Sequence, residues 1–298
     1  MTPAAAVTTS GRTRSGRFAV YLALTKPRII ELLLVTTVPA MVLAAGRWPG
    51  TWLVIATLIG GTLSAGGANA LNCYFDRDID GIMRRTWRRP LPSDEVSPVA
   101  ALRFGLALGI GGFVWLFALV NLTAAVTATA ALAFYVLVYT RWLKRTTAQN
   151  IVIGGAAGAA PALVGWAAVH DSLGLPAWVL FAVVFYWTPP HFWALALRYQ
   201  DDYESAGVPM LPVVRGVPAT TRQMVLYAGL TALASLLLVP VAGMGWLYLL
   251  ASIGLGAWFV TETWAVHRDP GRAMVLFTRS TYYLALLSAA VVIDVLVR

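Results

Sequence analysis

The sequence predicts an all-α polytopic membrane protein: nine transmembrane helices around a cavity open to the cytoplasmic side. Three observations carry that reading. Of 298 residues, 59% are hydrophobic and only 12% are charged, with a mean hydropathy of +0.72; soluble domains carry about 25% charged residues. The apolar residues fall into nine runs, each near the ~20 residues a helix needs to cross about 30 Å of hydrocarbon. Between those runs the basic residues alternate from side to side, so that 20 of the 22 lie on one face.

The runs are Ile29–Ala45, Trp52–Tyr74, Pro98–Leu119, Leu122–Tyr139, Gln149–Val169, Ala177–Leu197, Gln223–Ala242, Trp246–Ala265 and Val275–Leu296. The basic residues gather before the first run (Arg12, Arg14, Arg17, Lys26, Arg28), after the second (Arg77, Arg84, Arg85, Arg88, Arg89, then Arg103), and after the fourth (Arg141, Lys144, Arg145). They gather again after the sixth (Arg198, Arg215, Arg222) and the eighth (Arg268, Arg272, Arg279), leaving only Arg47 and Arg298 opposite. By the positive-inside rule the N-terminus is cytoplasmic and the C-terminus external, and the protein resides in the plasma membrane. Merging or splitting one helix would scramble the alternation. The net charge of +9 therefore marks topology and a lipid bilayer partner, and nucleic acid is not expected. Residues 1–20 read as a flexible cytoplasmic tail, because no apolar core precedes Phe18. Residues 21–298 form the membrane domain. The single cysteine, Cys73, excludes a disulfide framework and a Cys-x-x-Cys redox pair.

The polar length lies on the inner side, so the chemistry is expected there. Asn72, Asp76 and Asp80 recur every four residues. Four helical residues turn about 400° and rise about 6 Å, which stacks the three side chains on one face and points Asp78 away. Such a stack is either an ordinary hydrated helix end or a platform of hard oxygen ligands for Mg²⁺. A second acidic group, Asp201-Asp202-Tyr203-Glu204, follows the sixth run. At 100° per residue, His191, Arg198 and Asp202 share a face and Asp201 falls about 80° off it. Asp202 is thus the expected inward ligand, which one or two Mg²⁺ ions would link to a diphosphate. The cluster Tyr139-Thr140-Arg141-Trp142-Leu143-Lys144-Arg145 is read as a loop. It is either a topology signal or a set of cations for diphosphate oxygens, with Lys144 foremost. Lys26, beside Pro27, is a weaker diphosphate candidate.

Two runs rich in small residues, Gly60–Ala70 and Gly154–Pro161, are read as close helix packing. His191 follows Pro189-Pro190 inside an apolar run, about 16 Å from Asp202 by helix rise. It is either a histidine bonded to a neighbouring helix or a ligand to haem iron, with Trp187 and Trp193 beside a porphyrin. His170 and His267 are read as solvated.

These motifs carry a resemblance. Asn-x-x-x-Asp-x-x-x-Asp after the second of nine helices resembles the UbiA superfamily of intramembrane prenyltransferases. Thr25-Lys26-Pro27-Arg28, Tyr139-Thr140-x-x-Leu143-Lys144-Arg145, Pro189-Pro190-His191-Phe192-Trp193 and Asp202-Tyr203 with Gly207–Val214 point to its haem-prenylating branch. The resemblance runs from about Leu22 to the C-terminus. It implies transfer of a farnesyl group from farnesyl diphosphate to a vinyl group of haem b with addition of water. Mg²⁺ would sit on Asn72, Asp76, Asp80 and Asp202, and the product would feed haem A synthesis, with haem A synthase a possible partner. Many superfamily members carry a second Asp-x-x-x-Asp. Here Arg198 and Ala206 flank Asp202 at four residues, which leaves the metal count open. Two other readings remain at this point: a prenyltransferase for an aromatic or quinone-precursor acceptor, and a cation-coupled transporter.

Overall fold

A computed structural model describes residues 16–298; side chains 28–34 lie outside the description, as do residues 1–15 of the predicted tail, including Arg12 and Arg14. Helix α1 (Arg17–Thr25) turns at Lys26 into α2 (Pro27–Ala45). Then follow α3 (Thr51–Phe75), the one-turn α4 (Arg77–Asp80), α5 (Pro98–Leu119) and α6 (Leu122–Ala133). A π-helical segment, Phe134–Leu143, leads into the short α7 (Lys144–Thr146), and α8 (Asn150–His170) and α9 (Leu175–Arg198) come next. The chain ends with α10 (Gln200–Ser205), α11 (Leu211–Ala242), α12 (Trp246–Arg268), a 3₁₀ turn at Pro270–Arg272 and α13 (Ala273–Val297).

Among the described residues, eight helices are long and apolar enough to cross a membrane. The remaining predicted run, Ile29–Ala45, coincides with α2, whose described apolar part is Val35–Ala45. The turns between spans follow local chemistry. Asn121 Oδ1 accepts the Ala124 N–H at 2.8 Å, and Ser97 caps α5 ahead of Pro98. Left-handed Gly46 and Gly243 close α2 and α11, at a φ that glycine adopts without a Cβ penalty.

Two boundaries differ from the sequence reading. The fourth span does not stop at Tyr139; it continues as a π-helix to Leu143 and α7, so Arg141, Lys144 and Arg145 ride on a helical extension rather than a loop. The seventh begins at Leu211, not Gln223, with a break at Gly216 (φ 73°). Arg215, Thr220, Thr221 and Arg222 interrupt the apolar pattern there.

Helix α3 packs on α5, α2 on α8, α9 on α8, α11 and α13, and α11 on α12. Small residues set the closest approaches. A Cβ on Gly67 would lie 2.7 Å from Gly109 N and 2.8 Å from Gly105 O, and one on Gly112 would lie 2.8 Å from Ser64 N. The α3–α5 backbones therefore touch, as small-residue membrane interfaces allow. In the second small-residue run, Gly154 leaves the space that the Tyr139 ring fills, and Gly155 seats Thr188. Both runs pack helices, as read.

Candidate functional site

The polar cluster forms where α3 ends. Asp76 caps α3 (φ −91°, ψ 4°), and the backbone bonds Asp76 N–Asn72 O (2.9 Å) and Asp80 N–Asp76 O (2.8 Å) keep the four-residue register across the break. The one-face stack persists through a helix interruption. Asn72, Asp76 and Asp80 are 3%, 0% and 1% exposed, whereas the Asp78 side chain is 59% exposed.

Of the two readings of the stack, the ordinary hydrated helix end does not hold: these carboxylates are buried, and each is met by a cation from another segment. Lys144 Nζ lies 2.5 Å from Asp76 Oδ2. Arg89 Nη1 lies 2.9 and 2.8 Å from the two Asp80 oxygens. Lys26 Nζ donates to Asn72 Oδ1 at 2.6 Å. Lys26 is placed by a left-handed turn (φ 53°) between α1 and Pro27, and the carbonyl just before it, Thr25 O, accepts from Asn69 Nδ2 at 2.9 Å. Burial pulls its ammonium below the usual lysine range. Three cations thus face two carboxylates, a surplus of positive charge in a buried setting. Asp76 Oδ1 has no hydrogen-bond partner, and the Arg145 guanidinium is 3.8 Å from it. Arg145 is held by Asp78 at 2.7 and 2.8 Å and by Phe75 O. That bond holds the Asp78 carboxyl down, at about 2.

The other expected residues are placed as follows. Arg141 is exposed and lies over the Phe75 ring at 5.1 Å. Tyr139 is half-buried and stacks on Tyr135 at 5.3 Å. Asp202 is buried and Asp201 exposed, the orientation read from helical phase. Asp202 Oδ2 accepts the backbone N–H of Arg85 at 3.0 Å, so it docks α10 onto the loop after α4. Arg85 Nη2 contacts the Tyr203 hydroxyl at 3.3 Å, and its guanidinium approaches the Tyr199 and Tyr203 rings. Among the described residues, no hydrogen bond joins Asp202 to the stack, and no three His, Cys, Asp or Glu converge as a metal cage.

His191 is 6% exposed, stacked between Trp187 (4.3 Å) and Phe277 (4.4 Å), with Nδ1 2.7 Å from Ser280 Oγ. Trp187 Nε1 donates to Ser280 O at 2.8 Å, so both residues grip α13. Trp193 is fully buried on another side of α9, edge-on to Tyr227 of α11. The two histidines read as solvated have partners: His170 Nε2 meets Ala44 O at 2.8 Å, and His267 Nδ1 meets Thr221 Oγ1 at 2.9 Å.

Arg89, Arg85 and Thr140 escaped the sequence reading as site residues. The first two lie in a basic loop whose charges topology already explains. Thr140 accepts from Asn72 Nδ2 at 3.0 Å, a contact across two spans that no local pattern encodes.

An intramembrane helical bundle with buried carboxylates and an excess of cations is the kind of site that suits a diphosphate. The comparisons with known proteins agree with that class. Residues 33–290 match the UbiA prenyltransferase family model. A protein of Clavibacter michiganensis subsp. michiganensis named protoheme IX farnesyltransferase is 55% identical over 279 residues, covering 92% of this chain and 91% of the relative. Among solved structures, a digeranylgeranylglyceryl phosphate synthase has TM-score 0.77 at 18% identity, covering 94% of this chain and 99% of that one. A UbiA homologue from Archaeoglobus fulgidus bound to DMAPP and Mg²⁺ has TM-score 0.65 at 14% identity, covering 91% and 98%. The chain belongs to the UbiA prenyltransferase family.

Proposed function

We infer that this chain transfers a farnesyl group from farnesyl diphosphate to a vinyl group of haem b, with addition of water, giving haem O and diphosphate. The relative at 55% identity, named for this activity, supports the choice of substrates. The observation that carries the site assignment is the pairing of buried Asp76 and Asp80 with Lys144 and Arg89, with Lys26 alongside on Asn72.

The donor set fits Mg²⁺. It offers hard oxygens from Asp76, Asp80 and the Asn72 amide, and Asp76 Oδ1 is buried without a hydrogen-bond partner, an acceptor left unused. A cage of three acids is not required, because Mg²⁺ commonly takes one or two carboxylates and completes its shell with water and phosphate oxygens. Bound there, Mg²⁺ supplies charge stabilisation for the departing diphosphate. The chain's own residues do the rest. Lys144, Arg89 and Lys26 exchange their carboxylate and amide partners for diphosphate oxygens, and Arg145 and Arg141 border them. These preplaced cations stabilise the charge that builds on the leaving group. Tyr139, whose ring stacks on Tyr135, is proposed beside them as a diphosphate contact. Asp202, which accepts the Arg85 N–H, is proposed as a further carboxylate that would hold a metal ion from the α10 side.

His191, with Trp187, is proposed as the element that positions the porphyrin side, through the α9–α13 seam that the two clamp at Ser280; Trp193, packed on α11, is not part of that seam. Residues 21–298 act as one membrane domain in the plasma membrane, N-terminus inside and C-terminus outside, a reading supported by the 20-to-2 charge split. Haem A synthase is the expected consumer of the product. The test is haem extraction from a bacterial strain lacking haem O synthesis and complemented with this chain. Haem O should appear with the wild-type chain and not with Asp76→Asn. A prenylated quinone precursor with no haem O would instead support the aromatic-acceptor reading.

A further inference from the structure

Asn72 has two amide protons and one carbonyl oxygen, and which of them faces the cation site decides whether it can ligate. The surrounding bonds settle the orientation. Nδ2 donates to Asp76 Oδ2 at 2.8 Å and to Thr140 Oγ1 at 3.0 Å, which uses both protons. Thr140 can only accept from it, because its own proton goes to Tyr135 O at 2.8 Å. A flipped amide would set Oδ1 against the Asp76 carboxylate and against the hydroxyl's lone pair, two acceptors facing one acceptor. Oδ1 is therefore held towards Lys26 and the cation site.

The π-helix makes this arrangement available. Thr57, Thr129, Thr188, Thr231 and Thr263 bond the carbonyl four residues back, as helical threonines commonly do. Thr140 reaches five residues back, to a carbonyl that the wider turn of Phe134–Leu143 brings under it. Its hydroxyl is fully buried and points across the bundle at α3.

We propose that Thr140 is a positioning residue: its hydroxyl, locked by the π-helix onto Tyr135 O, fixes the Asn72 amide so that Oδ1 is presented to the metal–diphosphate. This rests on the proposed function only for the presence of a divalent cation at Asn72 and Asp76; it does not depend on which acceptor is prenylated. Removal of such outer partners typically weakens metal affinity about 10–100-fold.

The experiment measures Mn²⁺ binding by electron paramagnetic resonance to the purified full chain in nanodiscs, with inorganic diphosphate present. Thr140→Val keeps the shape and deletes the hydroxyl; Thr140→Ser keeps the hydroxyl. The expected result is a loss of affinity of about tenfold or more for Thr140→Val, restoration by Thr140→Ser, and no further loss when Thr140→Val is added to Asn72→Ala. The thermal midpoint should follow packing and be similar for the Val and wild-type proteins. Affinity of Thr140→Val within twofold of wild type would overturn the proposal. So would equal losses for Val and Ser, or an undiminished extra loss in the Asn72→Ala background. A wild-type chain that binds no Mn²⁺ with diphosphate would overturn the metal reading itself, and this proposal with it.

Discussion

Asp76 and Asp78 are two residues apart and in opposite circumstances. Asp76 is buried against Lys144; Asp78 is exposed and tied to Arg145, which also holds Phe75 O. Removing one partner of a buried pair strands the other charge and costs about 3–5 kcal/mol. Asp76→Ala should therefore lose both turnover, by orders of magnitude, and thermal stability, while Asp78→Ala should keep most of both; parallel melting curves and initial rates check this. The depressed Asp78 carboxyl is charged at any pH above its unfolded value near 3.8, so its bridge contributes fully there and is lost only as pH falls through about 2. No inflection from Asp78 should appear in a pH–rate profile above pH 4, and Asp78→Asn should leave that profile unchanged. The Asn72–Asp80 stack was legible because a period of four is a helical signal. The cations meeting it were not: Arg89 reaches Asp80 through a loop without periodicity, and its charge had a sufficient explanation in topology.

The π-helical segment is the element that separates what sequence could give from what it could not. Its residues have ordinary helical and apolar character, and no local preference distinguishes a five-residue bond from a four-residue one. A run ending at Tyr139 was therefore the natural reading, whereas helix continues through Leu143 and carries Lys144 to Asp76. Deleting Val138 should restore α-helical register and rotate Tyr139, Thr140 and Lys144 relative to α3. Activity should fall at least 100-fold while the protein still inserts and purifies as a folded bundle, as checked by circular dichroism alongside turnover; each tenfold step corresponds to about 1.4 kcal/mol. In α10 the phase read from the sequence matches the burial of Asp202 and the exposure of Asp201, because helical phase carries across the short break at Tyr199. It could not show that Ser280 would be the partner of His191, since that pairing spans 89 residues.

At the scale of the whole molecule, alternating apolar runs and basic loops were enough to read a helical membrane bundle, because lipid leaves the backbone few alternatives. The small-residue runs were likewise legible as helix contacts. The polar centre was legible as a list of residue types but not as an arrangement, because it assembles from α1–α2, α3, the loop after α4 and α7. A reporter fused after Arg298 should be active only on the external side, and activity on the inner side would mean a span has been miscounted. The central claim is that the buried Asp76–Lys144 centre farnesylates haem with a divalent cation. The most direct measurement incubates the purified chain in nanodiscs with haem b and farnesyl diphosphate, with Mg²⁺ or with EDTA, and identifies the extracted haem by mass spectrometry. The account predicts haem O with Mg²⁺, none with EDTA, and none from Asp76→Asn with Mg²⁺; haem O formed at an undiminished rate in EDTA or by Asp76→Asn would contradict it.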